Sequence, residues 1–195
     1  MRLLSLLSIA AGVLLAENIV FSNLLGITPF LKESRGLRPA LRHGVTTAFA
    51  VFCASIVSWF LDTLIIRPAG LEYLRSVVFV LVAVAGVKLA EAVVSARSPK
   101  LSKKLGVSFS LVAANTALLG AMLLTSERGY GFFEALFFGV FAGLGYLAVC
   151  LLFAAVRERL EYSEVPKFFE GLPIALITAA LVALAFSGFA GIKFI

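Results

Sequence analysis

The sequence is poor in the residues from which most catalytic and metal sites are built. It holds two cysteines, Cys53 and Cys150, and one histidine, His43. Each cysteine stands alone in its own apolar run, with no CxxC or metal-ligand spacing, and reads as a small buried hydrophobe. A single imidazole excludes a histidine-based metal site, and His43, beside Arg42, is expected at a membrane boundary. Charge is scarce too, at 14% of the 195 residues. There is no nucleotide-binding glycine motif, no nucleophile with a base beside it and no flavin-attachment sequence, so no complete active site is expected in this chain alone. Connecting stretches run to about a dozen residues at most, which leaves no soluble domain. No small-residue cleavage site follows the first apolar segment, which is therefore expected to be retained.

What fills the chain instead is hydrocarbon. Of its residues 61% are hydrophobic and the mean hydropathy is +1.05. Six apolar runs, roughly 3–31, 44–66, 73–96, 105–125, 131–156 and 171–192, approach or exceed the length of about 20 residues that crosses a bilayer as a helix. Turn chemistry separates them: Arg35-Gly36, Arg67-Pro68, Ser98-Pro99, Arg128-Gly129 and Val165-Pro166. The fold class that follows is an all-α polytopic membrane protein with six transmembrane helices, a single membrane domain over 1–195.

The basic residues orient it. Eleven of the seventeen Lys and Arg fall in the first, third and fifth loops: Lys32, Arg35, Arg38 and Arg42, then Arg97, Lys100, Lys103 and Lys104, then Arg157, Arg159 and Lys167. Five, Arg2, Arg67, Arg75, Arg128 and Lys193, lie on the opposite side with both termini, and Lys88 falls inside the third helix. The positive-inside rule makes the odd loops cytoplasmic and both termini external. The net charge of +6 is then a topology signal, and nucleic-acid binding has no basic patch left to use. Three helices followed by three of opposite sense suggest an inverted repeat, with halves of about 1–98 and 99–195, a plan that places a site near the bilayer midplane.

Polar groups inside hydrocarbon sequence mark where that site lies. An ionised side chain near the membrane centre costs about 2.5 to 3.5 kcal/mol, so such groups face protein or water and often carry function. The end of the first segment reads Glu17-Asn18-Ile-Val-Phe-Ser-Asn23-Leu-Leu-Gly26-Ile-Thr28-Pro29-Phe30. Two amides and a carboxylate precede a glycine and a proline that weaken a helix. Glu17, Asn18 and Asn23 are the ion-pathway candidates. The fourth segment carries a fainter echo, Asn115-Thr116-Ala-Leu-Leu-Gly120. The two stretches are expected to approach each other, with Glu17, Asn18 and Asn115 facing the interior. Elsewhere Lys88 and Glu91, three apart, read as a structural pair. Asp62, Arg67, Glu72 and Arg75 read as solvated interface residues. Gly139-x-x-x-Gly143, with Gly145, offers a close-packing helix face.

Several stretches together resemble one known family over essentially the whole chain. They are ENIVFSNLLGITPF, the region SIVSWFLDTLIIRP with GLEYLRSVVFVLV, LVAANTALLG, and the long close from Leu151 to Ile192. The chain is similar to the RnfA/NqrE family, six-helix membrane subunits of the ion-pumping ferredoxin:NAD and NADH:quinone oxidoreductases, and more so to RnfA. The resemblance implies a subunit paired with a homologous, oppositely oriented partner of the RnfE/NqrD type and with further Rnf-type subunits in a bacterial or archaeal cytoplasmic membrane. It also implies a two-iron two-sulfur cluster at the shared interface, held by two cysteines from each subunit, since such clusters need soft anionic sulfur ligands.

This chain departs from that pattern at the ligands themselves. The family's Leu-Gly-x-Cys-Pro-Phe is here Leu25-Gly26-Ile27-Thr28-Pro29-Phe30, and its Asn-Cys-Ala is Asn115-Thr116-Ala117. The cofactor-binding candidates are therefore Thr28 and Thr116 with Gly26, Pro29 and Asn115. A hydroxyl is a hard, weak donor that does not ionise near neutral pH, so neither threonine is expected to hold iron. Two functions follow as alternatives: a subunit of a redox-driven ion pump whose electron path bypasses this position, or a relative acting in ion or solute passage or as a structural subunit, without electron transfer. A reporter fused after Ile195 tests the topology. It is expected to be active only on the outer side; cytoplasmic activity would remove the inverted repeat, because six crossings place both termini together.

Overall fold

The structure is a computed structural model that describes residues 2–23, 25–33, 36–98 and 109–189. Leu24, Arg35, Pro99, Lys100, Lys103, Lys104 and Lys193, on which parts of the reading above rest, lie outside the described residues. Among the described residues there is helix and turn and no strand. In chain order the helices are α1 (Arg2–Ala11), α2 (Ile27–Glu33), α3 (Leu37–Leu61), α4 (Arg75–Arg97), α5 (described over 109–113), α6 (Thr116–Glu127), α7 (Phe132–Leu160) and α8 (Leu172–Ser187). With their adjoining turns, Leu37–Ile66, Glu72–Arg97 and Phe132–Leu160 are each long and apolar enough to cross a membrane alone. The molecule is a helical membrane protein.

The first and fourth apolar segments are not single helices. α1 runs into a π-helical turn at Gly12–Ala16, after which residues 17–23 and 25–26 are irregular and α2 begins at Ile27. Pro29 thus does not break a helix but opens one, since a missing N–H in the first turn leaves no intrahelical bond unmade. The fourth segment is interrupted at Ala114 and Asn115, between α5 and α6. Asn115 caps α6: its side-chain oxygen accepts the Ala117 N–H at 3.0 Å.

The core forms where α3 crosses α7 and α6. Glycines set that crossing, as the Gly139/Gly143 spacing predicts. A Cβ on Gly143 would stand 2.7 Å from the Ala48 carbonyl oxygen, and one on Gly139 would stand 2.9 Å from the Ser55 Cβ. The buried hydroxyls of Ser55 and Ser58 on α3 do not need partners across this seam. Ser55 donates to the Val51 carbonyl at 3.0 Å and Ser58 to the Ser55 carbonyl at 2.9 Å, within their own helix. Phe79, Phe138, Phe153 and Met122 fill the space around the crossing and are fully buried.

One set of charges corrects the sequence reading. Asp62 is not a solvated interface residue; it is 1% exposed and is held between Arg67 Nε at 2.7 Å and Arg75 Nε at 3.0 Å. Arg67 also donates to the Ser126 carbonyl at 3.2 Å. The chain end of α3 turns inward through the π-helical turn Asp62–Ile66, which carries the carboxylate under the loop rather than out of it. Glu72, as expected, is exposed.

A side chain at Gly143 has nowhere to go, so Gly143→Val is expected to cost about 1–3 kcal/mol of stability through overpacking. Gly36→Ala, whose Cβ would meet only Pro39 at an ordinary 3.7 Å, is the matched control. Thermal unfolding in detergent distinguishes the two, and equal midpoints would remove the glycine-set crossing from this account.

Candidate functional site

The two interrupted segments meet. The Gly26 N–H donates to Thr116 Oγ1 at 2.8 Å, joining positions 90 residues apart. Gly26 has φ of 76°, and a Cβ there would stand 2.6 Å from Asn115 Oδ1, 3.0 Å from the Ala117 Cβ and 3.0 Å from Tyr146 Cε2. Both facts demand glycine, the first because L side chains avoid that conformation and the second because three atoms already occupy the space. Leu25 fills the next gap: a Cβ on Gly120 would stand 2.1 Å from Leu25 Cδ1. The two glycines that the sequence set beside amides are thus each a seat for the opposite segment.

Asparagines shape both interruptions by the same bond. Asn18 Oδ1 accepts the Val20 N–H at 3.0 Å and Asn115 Oδ1 accepts the Ala117 N–H at 3.0 Å, each two residues on. The echo in the sequence set Asn23 against Asn115; in structural role it is Asn18 that corresponds, and Asn23 is exposed. Asn18 and Asn115 are buried. Asn18 also donates to the Leu14 carbonyl at 3.2 Å, and a Cβ on Gly145 of α7 would stand 3.1 Å from its Nδ2.

Glu17 departs from the expectation that it faces the interior. Half of its side chain is exposed, and it forms an ion pair with Arg128 in the turn before α7. Burial lowers the pKa of that guanidinium, and its hydrogen bonds to Tyr130 and Glu17 with their charges outweigh the effect, so Arg128 is held above its ordinary value. Thr28 and Thr116 both lie exposed on either side of the Gly26 contact, while Gly26 and Pro29 are buried. The Thr116 oxygen meets an amide, not a carbonyl freed near Gly26 or Pro29.

Behind this contact lies a polar group that sequence reading missed. Tyr146, in the middle of α7, is fully buried, and its hydroxyl accepts from Asn115 Nδ2 at 3.0 Å. His43 Nε2 is 3.2 Å from the same hydroxyl and 3.4 Å from Thr47 Oγ1. His43 is 0% exposed, turned inward by its place on the α7-facing side of α3. Among the described residues its Nδ1 has no hydrogen-bond partner. The criterion applied to Asn18 and Glu17, a polar atom inside apolar sequence, applies equally to the phenol of Tyr146 and would have found it.

One soft ligand stands behind this contact: Cys150 on α7 is hydrogen-bonded to the Tyr146 hydroxyl. Cys150 is buried on α7, Cys53 is half-buried on α3, and the described residues hold no group of three or more His, Cys, Asp and Glu able to take a metal ion. The residues at the contact are one oxygen already bonded to an amide, one exposed hydroxyl, two amide side chains and a phenol. That donor set does not fit an iron–sulfur cluster.

Fold and site together define a helical membrane protein in which two interrupted segments are joined where Gly26 meets Asn115 and Thr116. The sequence profile described as "Rnf-Nqr subunit, membrane protein" matches residues 6–193, and the chain belongs to that family. It is 41% identical over 190 residues to a subunit of the Na(+)-translocating ferredoxin:NAD(+) oxidoreductase complex of Acetobacterium woodii, covering 97% of this chain and 99% of that one. It is 42% identical over 181 residues to a subunit of the ion-translocating oxidoreductase complex of Escherichia coli and to its namesake in Citrobacter koseri, covering 93% of this chain and 94% of each relative.

Removing the Tyr146 hydroxyl takes the partner from Asn115 Nδ2 and leaves His43 Nε2 with the longer contact to Thr47 Oγ1. Tyr146→Phe is expected to cost about 1–3 kcal/mol. Thr116→Ala, which frees the Gly26 N–H, is expected to cost about 1 kcal/mol, with Thr116→Ser restoring it because the oxygen returns. Thermal unfolding reads all three, and a Ser variant no better than Ala would show that the Thr116 oxygen is not what holds Gly26.

Proposed function

We propose that this chain is a membrane subunit of an ion-translocating electron-transport complex of the Rnf type, coupling electron transfer between ferredoxin and NAD to movement of Na+ or H+. The observation that carries the reading is the joining of the first and fourth segments at Gly26 and Thr116, in a chain that matches subunits of such complexes almost end to end. The topology we propose is six crossings of a bacterial or archaeal cytoplasmic membrane as a 3+3 inverted repeat, with both termini outside. Interrupted helices placed at corresponding positions of two halves support it, because non-helical backbone at membrane depth is tolerated only against protein or water.

The same constraint supports a partner. Irregular backbone over 17–23 and 25–26 ends beside Thr28 and Thr116, both exposed, and a homologous RnfE/NqrD-like subunit laid on this face would keep it from lipid. The ion-pathway candidates divide by environment. Asn18 is buried at the interruption, whereas Glu17 and Asn23 are exposed, with Glu17 held by Arg128.

We further propose that Thr28 and Thr116 ligate no iron–sulfur cluster. No electron step is assigned to this chain, which acts in the proposed complex through the passage and the interface it builds. The threonines also give weight to a second reading, a family relative working in ion or solute passage or as a structural subunit without redox chemistry.

Purification of the native assembly with subunit identification and iron and flavin analysis decides between them. Co-purified flavin and ferredoxin-like subunits are the expected result, and a chain isolated without redox partners would establish the second reading. In the assembled complex, Thr28→Cys with Thr116→Cys is expected to add iron and a cluster absorption, provided that the partner presents two cysteines of its own. A cluster signal assigned to Thr28 and Thr116 in the unsubstituted protein would overturn the ligand argument.

A further inference from the structure

α4 carries an ion pair on its outward side. Lys88 Nζ bonds Glu91 Oε2 at 2.9 Å, with 59% of the lysine side chain and 29% of the glutamate side chain exposed. The helix runs from Arg75 to Arg97, about 35 Å at 1.5 Å per residue, with its centre near residue 86. Lys88 therefore sits about 3 Å from the middle of the span and Glu91 about 8 Å.

Helical periodicity puts Val77, Val84, Lys88 and Ser95 on one line, with Glu91 at its edge. Val77 and Val84 are exposed at 57% and 41%, while Phe79, fully buried, turns the other way toward the core and Val87, also buried, borders the face on the Glu91 side. The pair thus stands on a face that the described residues leave uncovered.

Hydrocarbon is a poor neighbour for this face. An ionised group at the centre of a span costs about 2.5 to 3.5 kcal/mol, and pairing offsets only part of the desolvation. Snorkelling does not relieve it either. The ammonium is engaged with Glu91, still about 9 Å short of the helix end at Arg97. The pair uses one of the three ammonium donors and few of the carboxylate's acceptor positions, so hydrogen-bonding capacity remains while the net charge is zero.

We infer that the Val84–Lys88–Glu91 face of α4 is an interface with a spanning helix of another membrane subunit, one that is apolar along its length and presents hydroxyl or amide side chains at the depth of Lys88. A net-charged partner residue is not called for, because the pair is already neutral. This rests on the subunit reading given above. It concerns a face different from the one bearing Thr28 and Thr116.

The test uses the full chain in its native assembly. A photo-crosslinking amino acid in place of Val84 is expected to label one stoichiometric subunit, within a spanning helix that carries Ser, Thr, Asn or Gln at the contact. Val84→Trp is expected to leave the chain's own amount in the membrane unchanged, since nothing within the described residues covers that position, and to lower recovery of the assembly by about tenfold or more, as breaking a central interface contact does. Label on lipid alone, label on a second copy of this chain, or full recovery with Val84→Trp would overturn the inference. If the assembly itself purifies intact in those cases, the subunit reading stands and only this interface falls. A chain that purifies alone overturns both.

Discussion

The approach of the Gly26 backbone to Asn115, Thr116 and Tyr146 is the constraint on which the rest of the structure turns. Two apolar segments far apart in sequence each stop being helical at this place, and each must find partners for the peptide groups that the interruption frees. Asparagine supplies the local part in both, by accepting the amide two residues on. The long-range part is a single hydrogen bond from Gly26 to Thr116, and it forms only because no side chain stands between them. Behind it the Tyr146 hydroxyl and His43 close the interior, and the glycine seam between α3 and α7 brings those two side chains within reach.

Threonine at 28 and 116 changes what this arrangement can do. A thiolate is a soft, anionic metal ligand, whereas the Thr116 hydroxyl is a hard, neutral oxygen that accepts from an amide of its own chain. The Thr116 hydroxyl serves here as part of the fold.

Charge in the molecule is sorted by the same logic of solvent. Asp62 is drawn under its loop and bracketed by two arginines, Glu17 meets Arg128 at the edge of an interruption, and Lys88 meets Glu91 on the side of a span. Each of these carboxylates near hydrocarbon has a cation beside it, which offsets part of the cost of desolvating its charge.

Membrane class, the places of the apolar segments and the two polar stretches were legible in the sequence, because they follow from hydropathy and from the cost of polar atoms in hydrocarbon, which depend on local composition. Gly26 and Asn115 could be picked out for the same reason. Tertiary structure alone decided which asparagine matches Asn115, that Asp62 and His43 are buried, that Glu17 is not, and that Tyr146 receives Asn115. These outcomes depend on the rotation of one helix against another, which side a residue shows being set by contacts with segments tens of residues away. A carboxylate or imidazole near a helix end can turn to either side at little local cost, and only the packing of α3 against α7 selects one.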